Sequence, residues 1–320
     1  MKISFNTPKN GYDDLSGRHG FGNAGIHMID AIRAAGHRLE FNDPTAEVGI
    51  VFNHPSRAQF YPHQYNILYF PWESTQVPPG WKDVMDACDE VWTPSPWCAG
   101  VFERITHAPV YVYEHGIDHE WKPRKRKTET IKFLHHGAEA ARKNGWDVVS
   151  AFRRAFTNNE DVELTLKYYN PKMIPMPERL GRVRYINEDW SFSKLQELYY
   201  ESNVFTYPST GEGFGLTPLQ AMASGMPTIT VKDWAPYADF LDPDLTLHGT
   251  LVPSTWHEIH PGKVYRIDFD ELVDRMRYAY ENIDDVGVRA YDTASSIHQR
   301  YDWNDLTRKQ FSALETRLNS

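Results

Sequence analysis

Residues 203–231 read NVFTYPSTGEGFGLTPLQAMASGMPTITV, and this stretch decides the fold class. Asn203–Tyr207 is a short apolar run of the kind that forms a buried strand, and Thr228–Val231 is a second. Between them a loop holds Gly211, Gly213 and Gly215. A helix is expected to follow, with Thr217 as N-cap and Pro218 at the first position, ending at Gly225 and Pro227. Strand, glycine turn, helix and strand in that order make a βαβ unit, in which parallel strands are bridged by a helix across their face. The turn also carries chemistry. Glycines let the backbone bend sharply, and the start of a helix presents unpartnered amides with a partial positive charge, so the segment is suited to an anion such as a phosphate. The donors are the amides from Gly213 onward through Phe214, Gly215, Leu216, Thr217 and Leu219; Pro218 has none. Glu212, at the tip, would be repelled by a phosphate and is expected to accept hydrogen bonds from neutral hydroxyls, as sugars offer. The plain alternative is a structural turn in which Gln220 completes a Thr-x-x-Gln capping box.

Working outward, the same alternation of strand and helix fills the chain. Strands are expected near Lys2–Asn6, Arg38–Phe41, Val48–Phe52, Asn66–Phe70, Glu90–Thr93 and Val110–Tyr113, with a helix over Gly22–Ala35 stopped by Gly36. From Glu114 to Thr130 periodicity lapses, and the basic run KPRKRK marks a linker. A second series follows, with strands at Ile131–His135, Val162–Tyr168 and Arg184–Ile186 before the opening stretch, and helices at Trp146–Asn158 and Ser193–Ser202. After Asp268 the pattern is purely helical, and Asp302 should cap a last helix, with Asp305 adding favourable charge to its first turn. The expectation is α/β: two doubly wound Rossmann-like domains, residues 1–118 and 119–300, facing a ligand cleft, with 301–320 a C-terminal helix.

Composition narrows the functions. The 320 residues are 41% apolar and 24% charged, a globular balance, and no apolar run approaches the roughly 20 residues of a membrane span. The N-terminus MKISFNTPKN has no signal-peptide pattern, and two cysteines, Cys88 and Cys98, lack disulfide-framework or metal-site spacing, so a cytoplasmic chain with reduced thiols is expected. A net charge of −9 disfavours loose binding along nucleic acid. Ten Trp and eighteen Tyr can stack on sugars as readily as fill a core.

With these residues in view, 203–231 resembles the E-x7-E region of family 4 retaining glycosyltransferases of the GT-B fold, usually written EGFG-x-x-x-x-EAMA-x-G-x-P. Here Gln220 replaces the second acid, which in the family holds the nucleotide ribose; a neutral amide can still bond a diol, though about half as strongly. EVWTPSPWCAGVF and YVYEHGIDHEWKP resemble the end of the family's first domain, and FLHHGAEAARKNGWDVVSAF its second-domain opening, where a basic residue before the helix holds the donor diphosphate. Arg142 and Lys143 stand there, while the Arg that often follows the glycine is replaced by Ala138. Family members usually end a first-domain strand with a His that meets the donor sugar. Here FPWEST puts Trp72 or Glu73 at that place, and His54 closes the preceding strand, so Glu73 and His54 are the candidates. The remaining histidines, including His135 and His136, read as structural. The resemblance implies transfer of a sugar from a nucleoside diphosphate sugar to an acceptor glycan, lipid-linked sugar, protein or modified nucleic acid, with configuration retained and no metal or further cofactor. It also implies that the last helix crosses back to the first domain. Glu212 and Lys143 would be its central catalytic residues.

Three further features have competing readings. Gly20-Phe-Gly22-Asn-Ala-Gly25, with Glu40 beyond, fits a dinucleotide fingerprint and hence a nicotinamide-dependent oxidoreductase. A long loop separates it from its strand, however, as in the family's N-terminal glycine motif, in which Gly20 and Gly22 would approach the donor phosphates. Lys122, Arg124, Lys125, Arg126 and Lys127 form either a solvated linker face or a patch for an anionic acceptor. Asp242-Pro-Asp244 reads as a turn. Gln220 and the missing His also fit a catalytically weak nucleotide-sugar binding protein.

Overall fold

The computed structural model describes residues 1–7, 15, 20–127, 129–137, 141–168 and 178–320. Ala138 and most of the loop before Gly20 lie outside the described residues. The first sheet is six parallel strands, β1 (Lys2–Asn6), β2 (Arg38–Phe41), β3 (Val48–Phe52), β4 (Tyr65–Tyr69), β5 (Glu90–Thr93) and β6 (Val110–Val112), ordered β2-β1-β3-β4-β5-β6. Helices α1 (Gly20–Ala34), α2 (Trp81–Asp86) and α3 (Pro96–Phe102) lie in its connections. β3 is buried along its whole length, as a strand covered on both faces must be. α1 starts two residues before its expected position and buries Ala24, Met28, Ile29 and Ile32 at helical spacing.

The second sheet contains β7 (Ile131–His136), β8 (Val162–Tyr168), β9 (Arg179–Leu180), β10 (Val183–Asn187), β11 (Val204–Tyr207), β12 (Thr228–Val231) and β13 (Thr246–Leu247), ordered β13-β12-β11-β7-β8-β10-β9. Only β9 runs antiparallel to its neighbour. Helices α4 (Gly145–Ala155), α5 (Phe192–Glu201) and α6 (Leu216–Ala223) complete its crossovers. β8 adds to one side of β7 and β11 to the other, so the loops leaving β7 and β11 diverge and open a crevice at the carboxyl ends of these strands. A separate hairpin, β14 (Gly249–Pro253) and β15 (Lys263–Ile267), precedes α7 (Phe269–Glu281), α8 (Ile283–Arg300) and α9 (Trp303–Leu318). The two Rossmann-like lobes form the GT-B arrangement. Asp302 caps α9 by accepting from the Asp305 amide at 2.9 Å, and α9 lies on the first lobe: Phe311 meets Trp92, and Arg317 pairs with the buried Glu90.

One local expectation is corrected and another gains detail. α6 begins at Leu216 with Gly215, at φ 81°, as its N-cap; Thr217 is already the second helical residue and forms no cap or capping box. Within the basic run, Lys122, Arg124, Lys125 and Lys127 are exposed, but Arg126 turns inward to donate to the carbonyls of Ser202 at 2.7 Å, Ser224 at 3.1 Å and Gly225 at 2.7 Å. The run therefore fastens the C-terminal end of α6, the end opposite the glycine turn. Asp242–Asp244 forms the expected turn, the Asp244 amide bonding Asp242 Oδ1 at 3.0 Å. Among the described residues no helix is long and apolar enough to cross a membrane.

Candidate functional site

β7 delivers the chain to a single 3-10 turn, Ala141–Lys143, after which Asn144, at φ 55°, redirects it into α4. This places Arg142 and Lys143 over the loop that leaves β11. Glu212 is the meeting point. Its Oε1 accepts from Arg142 Nη1 at 2.7 Å, Lys143 Nζ, Tyr207 Oη at 3.0 Å and Ser209 Oγ at 2.6 Å. All four bonds fall on one carboxylate oxygen. Arg142 also donates to Gly211 O at 2.7 Å and, from Nη2, to Glu73 Oε1 at 2.9 Å. Since Glu73 lies just beyond β4, this last ion pair joins the two lobes.

The electrostatics are those of buried charges in contact. Burial raises the Glu212 carboxyl, but Arg142 and Lys143 outweigh it and hold the group at about 2. Burial, then repulsion from Arg142, drags Lys143 down to about 8 despite the carboxylate. Two cations share Glu212 Oε1 with the hydroxyls of Tyr207 and Ser209, partners that the expectation of neutral hydroxyls did not include. Glu212 lies in the loop after β11 and the two cations in the turn before α4, and no short-range signal pairs residues 69 and 70 positions apart.

The glycine turn lies in the groove between the lobes, and here the groove is shut. A Cβ on Gly213 would stand 2.3 Å from Pro71 Cβ and 3.0 Å from the Trp72 amide nitrogen, so only glycine permits this approach. Phe214 is buried with its ring 4.7 Å from His115. Trp234 Nε1 donates to Ser209 O at 2.9 Å and Tyr237 Oη to Gly215 O at 2.7 Å, which fixes the turn from behind. Leu216 and Thr217 are half-buried at the start of α6, where their amides have no intrahelical partner, and Gln220 is buried on the same helix. Lys143 also borders a cavity of about 170 Å³ lined by His135, Gly137, Asn144, Trp146 and Tyr168. His135 itself is held by its Nδ1 against Thr206 O at 2.8 Å.

On the first-lobe side, His54 follows β3 and its ring lies 5.6 Å from Trp81 and 6.3 Å from Phe21. Phe21 sits between Gly20 and Gly22 in the first turn of α1, so these glycines share the His54 end of the sheet. One residue read as structural is brought into the site: His260, from the loop of the β14–β15 hairpin, lies beside Trp72 with ring centroids 4.8 Å apart and planes tilted by 39°, and its Nδ1 is 3.8 Å from Glu73 Oε2. Its only sequence signal is the polar WHEIHPG loop, which periodicity does not distinguish from any other turn.

Residues 179–261 match the family model of glycosyl transferases, group 1, a span that includes Glu212, the glycine turn, α6 and His260. A stretch of 58 residues is 40% identical to the O-antigen chain mannosyltransferase RfbU of Salmonella typhimurium; it makes up 18% of this chain and 16% of that relative. In overall shape the chain is similar to sucrose-phosphate synthase from Thermosynechococcus elongatus, with a TM-score of 0.71, 14% identity and 99% of both chains covered. It is similar also to Anabaena HepE in complex with UDP-glucose, with a TM-score of 0.69, 12% identity and coverage of 99% of this chain and 100% of that one. At such identities the likeness to these structures is one of fold.

Proposed function

We propose that this chain, which carries a group 1 glycosyl transferase segment in a GT-B fold, is a family 4 glycosyltransferase. It moves a sugar from a nucleoside diphosphate donor to an acceptor hydroxyl, retains the anomeric configuration and needs no metal. One observation carries the reading: two buried cations, Arg142 and Lys143, converge beside the amide end of α6 on carboxylates that stand where an anionic ligand would. Once the lobes have parted and closed again on the donor, its diphosphate lies along the turn from Gly213 to Thr217 beside the Arg142–Glu73 pair, with Gly20 and Gly22 closing over it from the first lobe. Its nucleoside takes the cavity beside Lys143 and its ribose meets Gln220. Glu212 keeps Lys143 with Oε1 and turns Oε2 to the sugar, while Glu73 and His54 approach that sugar from the other side.

In the reaction the bond between the anomeric carbon and the phosphate oxygen breaks and a bond to the acceptor oxygen forms on the same face. The acceptor proton passes to the departing phosphate, so the protein's work is to stabilise charge on the leaving group. One relative, named an O-antigen chain mannosyltransferase, supports a carbohydrate acceptor, and a structural neighbour in complex with UDP-glucose supports a nucleoside diphosphate sugar donor. The boundaries at 118 and 300 separate the acceptor-side and donor-side units, and the buried free thiols Cys88 and Cys98 suit the cytoplasm. A nicotinamide-dependent enzyme fits less well, because residues 7–19 separate β1 from α1 where a dinucleotide fold needs a tight turn.

The test is a thermal-shift panel of nucleoside diphosphate sugars followed by assay of donor hydrolysis without acceptor. A ligand at 100 times its Kd adds about 2.7 kcal/mol, enough for a shift of several degrees. Binding with slow hydrolysis is expected. Binding without hydrolysis or transfer would favour a silent nucleotide-sugar binding protein, and no shift with any donor rejects both.

A further inference from the structure

The β14–β15 hairpin reaches from the second lobe to the first. Thr75 N donates to Lys263 O at 3.0 Å, Lys263 N donates to Thr75 Oγ1 at 2.8 Å, and Trp97 Nε1 donates to Tyr265 Oη at 3.3 Å. Its loop is braced internally, the His260 amide bonding Trp256 O at 2.7 Å. These contacts fix His260 against Trp72. Its Nδ1 is buried and has no hydrogen-bond partner among the described residues, while Glu73 Oε2 stands 3.8 Å away, beyond hydrogen-bond reach. Glu73 is itself immobilised, since Oε1 is held by Arg142.

A buried polar atom without a partner is rare and costly, and one aimed across a short gap at a fixed carboxylate marks a place for a small group that bonds both. In the shut groove Nδ1 is closed to a water-sized group, but the separation of the two atoms is the one a shared hydroxyl needs. A hydroxyl oxygen about 2.8 Å from each atom closes a triangle on this 3.8 Å base with an angle of about 85° at the hydroxyl. An anion would be repelled by Glu73, whereas a hydroxyl can donate and accept at once. Arg142 connects Glu73 to Glu212 and hence to the cations assigned to the diphosphate, so the hydroxyl nearest at hand belongs to the transferred sugar.

We infer that His260 and Glu73 clamp one hydroxyl of the transferred sugar, which donates to Glu73 Oε2 and accepts from His260 Nδ1–H. His260 is thus a substrate-contacting residue supplied by the second lobe to the first-lobe side of the site, and it reads the presence of that hydroxyl. This rests on the glycosyltransferase reading. Burial lowers the His260 pKa, outweighing the opposing pull of Glu73; Arg142 and His54 also lower it and Glu212 raises it, so the ring works as a neutral donor.

The experiment compares the wild type with His260→Phe, which keeps a ring on Trp72 but has no N–H, and His260→Asn, which restores a donor near Nδ1. The readout is hydrolysis and transfer with UDP-glucose, GDP-mannose and their single-deoxy sugar analogues. Expected is a loss of about tenfold in kcat/KM for His260→Phe, substantial recovery for His260→Asn, and equal rates for wild type and His260→Phe on the one deoxy donor that lacks the clamped hydroxyl. Activity of His260→Phe within twofold of wild type, or activity kept by Phe and lost by Asn, overturns the clamp and leaves a packing role. If the wild type binds and turns over none of the donors, the transferase reading fails first and the clamp falls with it.

Discussion

Lys143 is surrounded by Arg142, Tyr207 and Glu212, and its depressed pKa of about 8 makes it the group in the site most sensitive to alkali. It is charged at pH 7. Because kcat/KM reports the free enzyme, donor turnover should fall as pH rises through about 8, where the uncharged amine ceases to stabilise the departing diphosphate. Lys143→Arg should remove this alkaline limb, since a guanidinium stays charged throughout. Lys143→Ala should lower kcat on the order of 10²-fold, as loss of one oxyanion donor does elsewhere; a change under threefold rules out the role. The pH profile of the wild type and both variants, measured by steady-state kinetics, decides it.

At the scale of elements, the glycine turn is governed by its neighbour across the groove. Gly213→Ala places a methyl 2.3 Å from Pro71 Cβ, which forces the lobes apart at that point. The cations and the start of α6 are left intact, so donor KM should stay within threefold while kcat drops about tenfold for want of closure; equal effects on both would instead mean that the turn itself had collapsed. This element was largely legible in the sequence, because strand, glycines and helix follow one another along the chain. The cap was not: Thr217-Pro218 has the pattern of a helix start, but the left-handed backbone of Gly215 begins the helix two residues earlier. The β14–β15 hairpin has no such signal, because only Val264 of its two strands is buried and the alternation that reveals a strand is missing. The ion pairs of Glu212 and the placement of His260 depend on chain folding over long separations, which no local pattern encodes.

For the molecule as a whole, α9 ties the end of the chain to the first sheet. Glu90 is 1% exposed, and Arg317 bonds both its oxygens, Nε to Oε1 at 2.6 Å and Nη2 to Oε2 at 2.9 Å. Tyr65 Oη and Trp92 Nε1 add one bond each. Arg317→Ala would strand that carboxylate and should destabilise the protein by about 3 kcal/mol in urea unfolding, with Glu90→Gln in the same chain recovering much of the loss. A cost under 0.5 kcal/mol would show that α9 is merely laid on the surface. The chain passes between lobes twice, once after β6 and once between α8 and α9, and the two passages are clasped where the Ile117 amide bonds Tyr301 O at 2.8 Å beside a parallel bridge from Ile117 to Asp302. Two covalent crossings bound side by side act as a single axle. The lobes are then free to swing about it but not to slide, and Thr75 with Lys263, fastened only by hydrogen bonds off that line, becomes the lip at which the mouth for substrates opens.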